Sequence, residues 1–162
     1  MPLLDRNGVK ADPFARVETL DDAAGKNVID SVDVVAALLA AKPAQAAVLA
    51  PNNIAAEELA PWFERLALIA IRFPSATDGR GFSLARQVRR LGFTGVLRAS
   101  GPLISDQFPQ ALACGFDEVE IPDAIAARQP VAQWLAALER VTLSYQRDYA
   151  FGARVLERRA RS

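Results

Sequence analysis

The six residues Leu66-Ala67-Leu68-Ile69-Ala70-Ile71 are apolar without a break, and they limit the fold more than any other stretch of the chain. The run is far short of the ~20 residues that a membrane-spanning helix needs. It also does not alternate, as a strand with one wet face would. A central strand of a parallel sheet, covered on both faces, meets both constraints. Similar short runs stand at 45–50, 95–97 and 119–121, which predicts parallel strands near 46–50, 67–72, 95–99 and 118–121.

Helical patterns separate these runs. Val34, Val35, Leu38 and Leu39 form one stripe, with Asp30 or Ser31 as its cap and Lys42-Pro43 as its stop. A short helix follows Pro51, with Asn53 as its expected cap. Leu84, Ala85, Val88 and Leu91 make a second face that Gly92 ends. Asp106 or Ser105 is expected to cap a further helix, and Pro130 opens a last one carrying Val131, Trp134, Leu135, Leu138 and Val141. Strand–helix alternation with short connections argues for right-handed βαβ units, hence an α/β fold with a small parallel sheet. An open sheet and a half-barrel both fit. A full (β/α)8 barrel of typically ~250 residues does not.

Asn7-Gly8 between Leu3-Leu4 and Val9 predicts an N-terminal hairpin. Residues 11–27 are polar without a clear period and are expected to be loop, apart from a short strand beginning at Asn27. The chain thus divides into a hairpin and loop (1–27), an α/β domain (28–142) and an arginine-rich C-terminal extension (143–162).

Composition narrows the chemistry. Histidine is absent and Cys114 is the only cysteine, which removes Ser-His-Asp and Cys-His catalysis, nearly all zinc sites, haem held by histidine and any intramolecular disulfide. Cys114 is expected to be a small buried hydrophobe. No cofactor is implied. Residues 1–64 carry ten acids and five bases, residues 65–162 nine acids and fourteen bases, and sixteen of the nineteen bases are arginine. Arginine favours bidentate recognition of anions. The N-terminus lacks the basic and apolar regions of a signal peptide, so a cytoplasmic location is expected. Overall neutrality and few aromatics among the terminal arginines argue against nucleic acid as a partner.

Two loops that would leave the same sheet edge carry the candidate site. In Asp78-Gly79-Arg80-Gly81-Phe82-Ser83, glycines let backbone N–H groups converge at a helix start, and Arg80 offers a guanidinium fork. Arg98 ends the next strand, followed by Ser100-Gly101. Asp78, Gly79, Arg80, Gly81, Ser83, Arg98 and Ser100 are therefore the expected ligand-binding residues, with Arg72 at the equivalent end of the preceding strand. An internal pair of Arg98 with Asp78, Asp106 or Glu120 is the structural alternative. Asp117 and Glu118 read as a solvated strand entrance.

Phe73-Pro74, Thr77-Asp78-Gly79-Arg80-Gly81-Phe82-Ser83, Leu91-Gly92-Phe93-Thr94-Gly95, Leu97-Arg98-Ala99, Asp106-Gln107 and Cys114-Gly115-Phe116-Asp117 resemble a bacterial family of unknown function. The resemblance covers roughly residues 28–142. Residues 143–162 and Ser100-Gly101-Pro102 depart from it. Members are often labelled oxidoreductases, and their genes tend to stand beside those of assimilatory sulfite reductase and phosphoadenylyl sulfate reductase. The resemblance implies an accessory role in sulfate and sulfite reduction, with a small anion or a partner reductase as ligand. It brings no catalytic residues with it. A metal-independent enzyme, with Asp78 or Glu120 as acid–base group, is the alternative. A homodimer is expected to cover a sheet edge with the segment around Tyr145, Tyr149 and Phe151.

Overall fold

The computed structural model of the chain describes residues 1–142. Seven strands form one mixed sheet: β1 (Leu3–Asp5), β2 (Gly8–Lys10), β3 (Asn27–Ser31), β4 (Gln45–Ala50), β5 (Leu68–Arg72), β6 (Val96–Ser100) and β7 (Glu118–Glu120), in the order β2-β1-β7-β6-β5-β4-β3. β3 to β7 are parallel and each is the neighbour of the next. The expected hairpin forms, but it belongs to the same sheet, since β1 pairs antiparallel with β7. The sheet is therefore mostly parallel rather than wholly so. The expected edge cover around Tyr145, Tyr149 and Phe151 lies outside the described residues, as does the arginine-rich extension.

Helices α1 (Val35–Ala40), α2 (Ala56–Leu59), α3 (Arg80–Arg90), α4 (Phe108–Ala113) and α5 (Asp123–Arg128) connect and follow the strands, with a further helix α6 over 131–142. Strands joined in consecutive order by crossovers of one hand put their helices on one face. The core agrees: Val28, Val48, Ile69, Leu97 and Val119 share one apolar cluster with Leu38, Leu59, Val88, Phe108 and Trp134. Among the described residues no helix is long and apolar enough to cross a membrane.

Capping corrects several expectations in detail. Ser31 does cap, since its Oγ accepts the N–H of Asp33. The helix after Pro51 starts at Ala55 rather than Asn53, where Glu58 reaches back to the Ala55 N–H. Neither Ser105 nor Asp106 caps α4. Gln107 accepts the N–H of Ile104, and Asp106 is exposed beside Arg140. A long side chain reaching back can replace the short ones that usually cap.

Among the described residues no helix covers the other face of the sheet. Residues 11–15 cross it instead, and Ala15 forms an isolated parallel bridge with Val28 outside β3. From Lys10 to Ala15 the chain spans at most about 18 Å. Seven inter-strand spacings at ~4.8 Å would set the same points about 34 Å apart on a flat sheet. The sheet therefore curls about its uncovered face, and the strap closes over the concavity. Phe14 packs there with Ile29, Ala47, Leu49, Leu68 and Ala70, which explains why the apolar run of β5 has no wet side.

Candidate functional site

The C-terminal ends of β3 to β7 converge on one edge, as the sequence predicts, but the candidate residues there separate into two groups. Arg80 begins α3 on the helical face. Arg98 lies on the uncovered face, under the strap. They do not form one crevice.

The loop before α3 is closed by its own residues. Arg80 Nε and Nη2 donate to Asp78 Oδ1 and Oδ2 at 2.9 and 2.6 Å, and the Arg80 N–H also donates to Oδ1 at 3.2 Å. The Arg80 fork, the nearby Asn52 amide and the Arg80 N–H together hold the Asp78 carboxyl well below the usual carboxylate range. Asn52 exerts this effect by proximity, since its buried Nδ2 has no well-formed hydrogen bond. The anion this loop holds is thus Asp78 itself. Gly79 precedes the helix with an ordinary negative φ, and Gly81 is buried because a Cβ there would strike the Phe73 ring. The two glycines therefore serve helix entry and close packing rather than a phosphate cradle. Ser83 is exposed on α3 beside a shallow cleft of about 220 Å³ that Asn52, Asn53 and Arg80 also line.

The uncovered face is ionic where β6 and β7 meet. Arg98, 1% exposed, donates through Nε to Glu118 at 2.8 Å and through Nη1 and Nη2 to both oxygens of Asp12 at 2.7 and 2.8 Å. Lys10 donates to the other Glu118 oxygen at 2.7 Å. Burial alone would lower the Arg98 pKa, but Asp12 and Glu118 outweigh it and raise it further. Burial likewise pushes the Asp12 carboxyl up. Hydrogen bonds from Arg98 and the Phe14 N–H, with the Arg98 and Lys10 charges, overcome that and hold it below its ordinary value.

These contacts correct the pairing expected from the sequence. Arg98 is internally paired, but with Asp12 and Glu118 rather than Asp78, Asp106 or Glu120. Glu118 is buried instead of solvated, and Asp117 is tied to Arg89 and to the Leu97 N–H. Arg89 itself clamps the opposite edge of the sheet, donating to the carbonyls of Phe93, Gly95 and Gly115. Sequence periodicity shows only that Arg89 lies off the apolar stripe.

One register step toward the strand ends lies the row Arg72, Ser100 and Glu120. The Ser100 Oγ donates to Glu120 at 2.8 Å. Arg72 is exposed and has no hydrogen-bond or ion-pair partner among the described residues. It borders a cavity of about 270 Å³ with Arg16, Asp30, Ser31, Asp33, Leu49 and Pro51. Arg16 is likewise unpartnered among the described residues. Asp30 and Asp33 face the turn, accepting the Ser31 N–H at 2.6 Å and the Ser31 Oγ at 3.0 Å. Nothing in the polar stretch 11–27 singles out Arg16 by type. The usable signal is spacing, because Asp12, Phe14 and Arg16 recur every second residue, as on one side of an extended chain.

Residues 47–153 match a family described as Bacterial protein of unknown function (DUF934). The chain belongs to this family. No curated protein and no solved structure matches the chain. The segment matched to DUF934 includes Arg72, Arg98, Ser100, Glu118 and Glu120, while the strap with Asp12 and Arg16 precedes it.

Proposed function

We propose that the protein is a non-redox accessory protein of assimilatory sulfate and sulfite reduction that binds a small anion at the C-terminal ends of its parallel strands. The observation that carries this reading is the pair Arg16 and Arg72, two arginines that line one small cavity with Asp30 and Asp33 yet are bonded to no carboxylate among the described residues. Arg80, Arg89 and Arg98 are all spent on internal partners. Guanidinium forks suit pairs of oxygens on sulfate, sulfite or carboxylate groups. The sulfur context comes from the family resemblance, and a sulfur-assimilation enzyme such as sulfite reductase is the partner it suggests. The bound anion would then be one that such a partner produces or consumes.

Calorimetric titration with sulfate, sulfite and phosphate tests the site. Charge-assisted hydrogen bonds contribute ~1.5–3 kcal/mol each, so Arg72→Ala or Arg16→Ala should weaken binding tenfold or more. Arg72→Lys should recover only part of the loss, since it keeps the charge without the fork. Failure of the unaltered protein to bind any of the three, or equal binding by the variants, would remove the reading.

The hydrogen-bonded Ser100–Glu120 pair supports a second reading, a metal-independent enzyme with Glu120 as proton acceptor. Asp78, the other candidate, is unsuited because its partners keep it charged. Chemical change of a bound anion during prolonged incubation, lost in Glu120→Gln, would favour that reading.

A further inference from the structure

We infer that the Asp12–Arg98 fork is a positioning device for the anion cavity, pinning the strap so that Arg16 lines the cavity with Arg72. This rests on the anion-binding reading above. Asp12 and Phe14 both anchor to the sheet, the Phe14 N–H closing a turn onto Asp12 Oδ1 at 3.0 Å, and Arg16 follows two residues on. Asp12 fixes the strap over β6 through its two bonds to Arg98. Phe14 fixes it over β3, β4 and β5. The Ala15 N–H and carbonyl then bond to Asn27 and Ile29 outside β3, and Arg16 follows at once. Ala11, Pro13 and Ala15 are exposed, so little else holds this segment down.

Arg16 has no partner of its own among the described residues, so its place is set by the backbone before it. Asp30 and Asp33 line the same cavity but accept from Ser31, and an untethered strap would be free to swing Arg16 into water. The fork readies the site before the ligand arrives, which raises affinity without adding a ligand contact. Arg98 is closed off from the cavity, with Nε on Glu118 and both terminal nitrogens on Asp12, so it acts through Asp12 and touches no ligand. Binding is reciprocal: an anion between Arg16 and Arg72 should in turn hold the strap more firmly.

The test is a double-mutant cycle on the full chain with inorganic sulfate as the probe, alongside amide hydrogen exchange. Asp12→Ala should weaken sulfate binding about as much as Arg16→Ala, by roughly tenfold. The double variant should bind no worse than Arg16→Ala alone, because Asp12 acts only through Arg16. Exchange at the Ala15 and Ile29 amides should accelerate in Asp12→Ala while Leu97 stays protected, and sulfate should slow it in the unaltered protein. Asp12→Glu, which keeps a carboxylate for the fork, should recover part of both properties. Additive losses of affinity, or a lowered melting temperature with unchanged sulfate affinity, would overturn the inference and leave Asp12 as scaffold. Absence of sulfate binding by the unaltered protein would overturn the anion reading itself. Faster Ala15 exchange in Asp12→Ala would then still establish the tether, and unchanged exchange would remove that too.

Discussion

On the helical face of the sheet, Phe73 packs against Phe82 and Phe116 at centroid distances of 5.0 and 5.8 Å, and Phe108 meets Trp134 at 5.6 Å. On the other face the same parallel strands present Arg98, Ser100, Glu118 and Glu120, roofed by a few residues of strap. The first face is held by apolar area and shape, which need no particular partner. The second depends on specific pairs, so each member matters chiefly through what its loss leaves behind. Burial is nearly complete on both faces at their centres, since Phe73 and Arg98 are each 1% exposed. What differs is the penalty for a mismatch: a cavity on one side, an orphaned charge on the other.

The largest effect is expected on the helical face. Phe73→Ala removes the ring that fills the space left by Gly81, and should cost about 3–5 kcal/mol by urea unfolding. A loss below ~1 kcal/mol would mean that the neighbouring rings collapse into the gap and that shape matters less here than the packing suggests.

Arg98→Ala comes next, at about 3 kcal/mol, because Glu118 stays buried with only Lys10 to meet it. The contrast between faces sharpens in the double replacement Arg98→Met with Glu118→Leu. Removing both buried charges should restore much of the loss, as buried pairs are often no better than apolar residues of similar volume. A double variant as unstable as Arg98→Ala would show that the fork to Asp12, rather than the orphaned Glu118, dominates.

A smaller, pH-dependent contribution follows from Asp12. Its folded carboxyl is held below the ordinary value of 3.8, so its stabilisation is whole above that value and fades as pH falls through the lower folded one. Unfolding measured from pH 5 downward should therefore show Asp12→Asn less stable than the parent at the start, with the gap closing toward strong acid. A gap that persists unchanged would assign the effect to shape rather than charge.

The two faces also differ in how far the sequence discloses them. Leu66–Ile71 is apolar without a break, as a parallel strand covered on both faces requires, and Gly92 ends α3 at φ +103° as its place after the apolar stripe suggests. Arg98, Ser100, Glu118 and Glu120 instead alternate with apolar residues, the pattern of a strand facing water. Local pattern cannot register that a chain segment more than eighty residues away lies over them. Burial of Arg98 is created by closure of the curled sheet and by one aspartate, both products of tertiary geometry. The Asp78–Ser83 loop misleads in the opposite sense. Its glycines and arginine have the residue types of an anion site, but packing against Phe73 and an ion pair within the loop account for most of them.

The smallest effect belongs to that loop, and it decides between the two faces as the seat of binding. The Asp78–Arg80 pair is geometrically good, yet Arg80 is largely exposed, and solvent screening leaves such pairs little net effect on stability. Arg80→Ala should therefore leave melting almost unchanged, and it frees the Asp78 carboxylate at the entrance to α3. If anions bind on the uncovered face, sulfate affinity should not move, because Arg16 and Arg72 lie on the other side of the sheet from the start of α3. If the loop is the site, the fork must leave Asp78 to reach the ligand, and Arg80→Ala should weaken binding roughly tenfold. Asp78→Asn separates the cases further: it releases Arg80 from a competing anion, so a loop site should bind sulfate more tightly than before. Titration of both variants beside Arg72→Ala asks one question of each face, and only one face can answer with a change in affinity.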